Sequence, residues 1–136
     1  MSSYPLNAIE DIDADEIEAL KSAGIRSTEK LLDAAKDPKG RKLLAGRTRL
    51  DEKRLLRFAN MADKLRIKGM GKEYACLLCQ VGVDTVKELK YRNPERLAKS
   101  MADANKKRKL VRFLPSEKLV TRWVEHAKKL PLKITY

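Results

Sequence analysis

Apolar residues recur along the chain at helical spacing, and no run alternates long enough to predict a half-buried strand. The clearest stripes are Leu55, Phe58, Ala62 and Leu65, on a segment from about Asp51 to Leu65, and Val120, Trp123, Val124, Ala127 and Leu130, on a segment that Ser116 opens behind Pro115. Both predict amphipathic helices. Leu20 followed by Gly24, and Leu78 followed by Gly82, predict helix ends at which glycine takes the left-handed stop, because it has no Cβ to clash there. Thr85 predicts the cap of a short helix over Val86 to Tyr91. Asn93-Pro94 starts another, since Asn accepts first-turn N–H groups and Pro suits the first helical position. The predicted fold class is all-α, a compact bundle of short helices.

The pattern occurs twice. At a shift of 58 residues Ile9 falls on Ile67, Ile12 on Met70, Ile17 on Ala75, Leu20 on Leu78, Gly24 on Gly82 and Leu31 on Leu89. At a shift of 65, Leu55 falls on Val120, Phe58 on Trp123, Ala62 on Ala127 and Leu65 on Leu130, so the second copy carries seven extra residues in its middle. One supersecondary plan used twice gives two apolar half-cores that bury each other where one alone is marginal. The predicted organisation is a first unit over residues 1–66 and a second over 67–136, packed as one globular domain.

Composition sharpens this picture through charge. The 136 residues carry 31 Lys and Arg against 19 Asp and Glu, a formal net charge of +12. Residues 1–66 hold 14 cations and 12 anions, and residues 67–136 hold 17 and 7, so nearly all the positive field belongs to the second unit. A phosphate polyanion suits that half, although charge of this size also serves solubility. The apolar run Tyr74 to Cys79 is too short to cross a bilayer, and the start Met-Ser-Ser-Tyr-Pro has no signal-peptide character, so no membrane partner and a cytoplasmic location are expected. The length excludes a catalytic barrel or a complete dinucleotide-binding enzyme.

The most informative segment is Ile67-Lys68-Gly69-Met70-Gly71-Lys72-Glu73-Tyr74-Ala75. Two glycines around one apolar residue allow a tight turn anchored by Ile67 and Met70. Main-chain N–H groups at the following helix start, with the helix dipole, then make an anion site. Lys68 and Lys72 set cations beside it, and Gly71 lets a phosphate approach without a side chain in the way. The basic run Lys106-Lys107-Arg108-Lys109, with Arg112, either extends a phosphate track from this turn or is a plain solvated helix end.

The segment resembles the helix-hairpin-helix motif, which reads hydrophobic-x-Gly-hydrophobic-Gly with Ala four residues later, on Ile67, Gly69, Met70, Gly71 and Ala75. The resemblance implies a SAM-domain-like helical fold. It also implies sequence-independent contact with the backbone of double-stranded DNA through Gly69, Met70, Gly71 and Lys72, and it allows a potassium or sodium ion in the 67–71 turn, with no other cofactor. The wider string through Gly82-Val83-Asp84-Thr85-Val86, Arg92-Asn93-Pro94-Glu95 and Leu114-Pro115-Ser116 is similar to a bacterial family known only as domain of unknown function 4332, built of tandem units of this kind. The first copy departs from the motif: Ile9-Glu10-Asp11-Ile12-Asp13 replaces both glycines with aspartates, followed by Asp15, Glu16 and Glu18. Carboxylates there repel a phosphate, so the first hairpin is expected to be structural or to face a basic partner.

No enzymatic constellation emerges. Cys76 and Cys79 form a C-x-x-C inside a helix and lack two further zinc ligands, so packing or surface roles are expected. Trp123 is expected in the core, and His126 at a half-buried or surface position without a catalytic partner. The resulting expectation is non-enzymatic DNA binding at Lys68, Gly69, Met70, Gly71, Lys72, Lys106, Lys107, Arg108 and Lys109. The alternative is a protein-interaction adaptor, or self-association of an acidic half with a basic half.

Overall fold

The computed structural model describes residues 3–136; residues 1 and 2, the start of the predicted first unit, lie outside the described residues. A 3₁₀ turn, Leu6–Ala8, precedes eight α-helices: α1 Ala14–Ser22, α2 Thr28–Ala35, α3 Pro38–Thr48, α4 Glu52–Lys64, α5 Lys72–Gln80, α6 Val86–Lys90, α7 Pro94–Arg108 and α8 Glu117–Lys129. The described residues form no β-strand, only one isolated antiparallel bridge between Pro5 and Ser27, and the all-α expectation holds.

Helix starts follow the capping residues. Thr85, Asn93 and Ser116 each accept an N–H from three residues on, and Ser27 and Asp37 do the same for α2 and α3. Gly24 and Gly82, just past the ends of α1 and α5, both have φ +86°. Moved by 58 residues, α1 coincides with α5 end for end; moved by 65, α4 coincides with α8. Corresponding side chains are buried alike: Leu20 and Leu78, Leu31 and Leu89, Leu55 and Val120, and Phe58 and Trp123 are all fully buried.

Helix α2 packs on α3 and α4, α8 on α6 and α7, and α5 on α7, while α4 reaches α6. The buried apolar side chains of both halves form one continuous core. The additional residues of the second half enter a longer α7, with 15 residues where α3 has 11, and a longer connection, Lys109–Ser116, where the first half has Arg49–Asp51.

Among the described residues Glu16, Thr28, Arg41, Thr48, Asp63 and Lys64 are the buried polar side chains, and Lys64 lies deepest. Lys64, at the end of α4, is fully buried, and its Nζ donates to the Ala75 carbonyl at 3.3 Å, the Val83 carbonyl at 3.4 Å and Cys79 Sγ at 2.7 Å. Its stem fills the space between α4, α5 and the turn after α5. Cys76 and Cys79 are free and half-buried, and burial pushes the Cys76 thiol pKa up, which argues against a reactive thiolate there.

Candidate functional site

The turn between α4 and α5 is built from its anchors outward. Ile67 is fully buried and Met70 is 3 % exposed, so these two side chains pin the backbone to the core. Between them Gly69 adopts φ +83°, which an L side chain rarely takes. Gly71 is the N-cap of α5 and offers no side-chain cap. Among the described residues, the amides of Gly69, Gly71, Lys72, Glu73 and Tyr74 meet no protein acceptor.

One expected donor, the Met70 amide, is otherwise committed, and so is the neighbouring Lys68 amide. The Met70 N–H donates to the Ile67 carbonyl at 3.1 Å, closing the turn. The Lys68 N–H donates to His126 Nδ1 at 3.1 Å, so this amide is occupied by a side chain from α8. Gly69, Gly71 and Lys72 retain free amides, and the ammonium of Lys68 remains at the surface.

The corresponding position in the first half is closed. Asp13, the N-cap of α1, accepts the Glu16 N–H at 2.8 Å, and Glu16 accepts the Asp13 N–H at 3.1 Å, a reciprocal capping box. Arg54 from α4 donates to Glu16 Oε2 at 2.8 Å and to the Asp11 carbonyl at 2.6 Å, and Arg57 donates to Asp11 Oδ2 at 2.7 Å. Hydrogen bonding from Arg54 holds the Glu16 carboxyl below its usual pKa, against the opposing effect of burial. The basic partner of this acidic turn is thus supplied from within the chain.

Two clefts flank Gly69. The larger, about 980 Å³, is lined by Gly69, Gly71, Glu73 and Tyr74 on one side and by Asn105 and Lys109–Phe113 on the other. The smaller, about 470 Å³, is lined by Lys68, Gly69, Leu119, Arg122 and His126. The wall facing the glycines is braced: Asn105 both donates to the Val111 carbonyl and accepts its N–H, and the Tyr74 hydroxyl donates to the Phe113 carbonyl at 2.9 Å. Tyr74 in turn packs against Trp123, with ring centroids 5.2 Å apart.

Of the basic run, only Lys109 lines the cleft, joined by Arg112. Lys106, Lys107 and Arg108 occupy the exposed last turn of α7, where cations complement the negative end of the helix dipole. Lys72 is exposed at the first position of α5. Arg122 and His126 were not expected at the turn. Their spacing, with Leu119, places them on one face of α8, but only the fold shows that this face meets Gly69.

The site therefore offers free main-chain donors, the positive end of the α5 dipole and a cationic surround of Lys68, Lys109, Arg112 and Arg122. Such a surface suits oxyanions. The Glu73 carboxylate opposes it, standing 3.7 Å from where a Cβ on Gly71 would lie.

No curated protein and no solved structure matches this chain. A family described as Domain of unknown function (DUF4332) matches residues 10–130, nearly the whole sequence, including both acidic and glycine turns. On that match, the chain belongs to the DUF4332 family.

Proposed function

We propose that this protein binds double-stranded DNA without turnover and without reading sequence, by holding backbone phosphates at the α4–α5 turn, a hairpin of the helix-hairpin-helix kind. The observation that carries the proposal is the open start of α5. Its N-cap is a glycine, its first-turn amides lack acceptors, and cations stand on both sides. Gly69, Gly71 and Lys72 supply main-chain donors, while Lys68, Lys109, Arg112 and Arg122 supply charge. Lys106, Lys107 and Arg108, set back on α7, contribute longer-range attraction. Met70 acts as an anchor and not as a donor.

Contacts of this type position the duplex and carry no base information. Each neutralised phosphate steepens the log–log salt dependence by about 0.9, and one turn of this size gives an affinity of roughly 10⁻⁴–10⁻⁶ M at physiological salt.

The test is titration of two unrelated duplex sequences with the native chain and with Gly71→Glu across a salt series. Helix content and melting temperature are followed in parallel. The native chain is expected to bind both duplexes alike and to weaken as salt rises, whereas Gly71→Glu stays folded and loses most binding. Equal binding by the two proteins removes the hairpin from the mechanism.

A further inference from the structure

Phe113 is 73 % exposed and Leu114 50 % exposed, side by side on the Lys109–Ser116 connection. Single exposed apolar residues are common on soluble proteins and need no explanation, and Leu43, Leu132 and Tyr136 are of that kind. Three features set the Phe113–Leu114 pair apart.

First, its backbone is held. Buried Val111 and Pro115 flank it, Asn105 clasps Val111 with two hydrogen bonds, and the Tyr74 hydroxyl takes the Phe113 carbonyl. A tip fixed in this way loses little conformational freedom on binding. Second, two cations stand beside the tip, with the Glu73 carboxylate across the cleft. The Arg112 guanidinium stands 5.8 Å from the Phe113 ring centroid, and Lys109 and Arg112 line the same cleft. Third, that cleft's opposite wall is the glycine turn with its free amides.

A ligand that fits an apolar tip beside two cations is anionic outside and apolar within. Nucleic acid has this construction, with phosphates outside and base faces behind them. An anionic membrane shares it coarsely, but one Phe and one Leu bury too little apolar surface for firm attachment. The adjoining amides also favour discrete phosphate oxygens.

We propose that Phe113, backed by Leu114, is a wedge that stacks into an opened base step, so that the protein selects DNA with an interrupted stack over intact duplex. This inference rests on the phosphate-binding role of the α4–α5 turn and adds the DNA structure that the surface prefers. Intact duplex must be unstacked before an apolar side chain can enter it, whereas a one-nucleotide gap presents exposed base faces. One base–aromatic stack corresponds to a preference of about tenfold.

Fluorescence anisotropy of the full chain at fixed salt tests the inference, using an intact duplex, the same duplex with a one-nucleotide gap, and phosphatidylserine-containing vesicles. Phe113→Ala is compared with the native protein after thermal melts establish that both are folded. A 2-aminopurine beside the gap reports stacking directly. The expected result is about tenfold tighter binding of gapped DNA by the native chain, with a change in 2-aminopurine emission. Phe113→Ala should bind both DNAs at the native intact-duplex level, without that change. Native binding that is equal for the two DNAs overturns the wedge and leaves the phosphate reading standing. Retention of the gap preference by Phe113→Ala likewise overturns it. Absence of any DNA binding removes the phosphate reading and the wedge together, and Phe113-dependent binding of vesicles alone reassigns the tip to lipid.

Discussion

Asp13 and Gly71 hold the same backbone conformation at corresponding helix starts, φ −97°, ψ 172° and φ −98°, ψ 173°. One carries a carboxylate that closes α1 with a capping box, and the other leaves α5 open. The main chain is unchanged, so the side chains at the helix start, Asp13 with Glu16 in α1 against Gly71 with Tyr74 in α5, decide whether it is satisfied internally or offered to a ligand.

Gly71→Asp is therefore expected to be tolerated. A Cβ at residue 71 meets nothing nearer than the flexible Glu73 carboxylate, and the φ is ordinary. Capping gains a few tenths of a kcal/mol over glycine, offset by repulsion from Glu73. The melting temperature should remain within a few degrees of native while duplex affinity falls at least tenfold, a separation that circular dichroism and anisotropy can measure on the same sample.

Glu73→Gln should act in the opposite direction on binding. Its carboxylate competes with any phosphate at the positive end of α5, and the side chain is exposed. Removing one like charge from the cleft is expected to tighten duplex binding several-fold at low salt, with the gain shrinking as salt screens it. Unchanged affinity at low salt would place the phosphate away from Glu73.

Lys109 and Arg49 end α7 and α3 in the left-handed region, at φ 50° and φ 63°. A non-glycine residue there carries a cost of about 1 kcal/mol. Both Lys109→Gly and Arg49→Gly should raise stability by up to about that amount. Only Lys109→Gly should weaken duplex binding and reduce the salt slope by about 0.9, because Lys109 lines the cleft beside Gly69. Parallel loss of binding in both variants would indicate a diffuse charge effect in place of a local contact.

Sequence pattern made parts of this molecule legible and hid others for identifiable reasons. The stripes of α4 and α8 could be read because each helix buries one face, and the caps at Thr85, Asn93 and Ser116 because their side chains perform the capping. Helix α3 was hidden, since Gly40 and Gly46 interrupt it and no apolar face dominates. Gly40 is there because a Cβ would come 2.3 Å from the Ala34 carbonyl, a close approach visible only in three dimensions. The turn itself was legible from Ile67, Gly69, Met70 and Gly71. Its cleft was not: the bracing bond from Tyr74 to Phe113 joins residues 39 apart, and the His126 side chain that occupies the Lys68 amide lies 58 residues away.

Lys64 separates packing from hydrogen bonding in the support of the turn. It has no carboxylate within ion-pair reach among the described residues, its bonds to the Ala75 and Val83 carbonyls are long, and its short contact, 2.7 Å, is to Cys79 Sγ, a weak acceptor. The stem should therefore matter more than the ammonium. Lys64→Ala is expected to cost about 3 kcal/mol through the cavity it leaves, whereas Lys64→Met, which keeps the stem volume, should stay within about 1 kcal/mol of native. Urea denaturation distinguishes them, and equal losses in the two variants would shift the weight to the ammonium.

Acid should weaken the first turn through Glu16. Its folded pKa lies below the ordinary value of 4.5, chiefly because Arg54 hydrogen-bonds the carboxylate. A depressed carboxyl contributes stability that is fully present above the unfolded pKa and is lost as pH falls through the folded one. Asp63 has the opposite sign: burial raises its pKa above 3.8, so its ionised form costs stability at neutral pH and acid relieves that cost. A single acid-unfolding curve mixes the two. The difference between native protein and Glu16→Gln isolates the first. That difference should be about 1–2 kcal/mol at pH 7, hold down to about pH 4.5 and shrink below it. A difference that persists unchanged well below the folded pKa would mean that the Gln side chain disrupts the capping box by shape, and that the charge on Glu16 is not what ties α1 to Arg54.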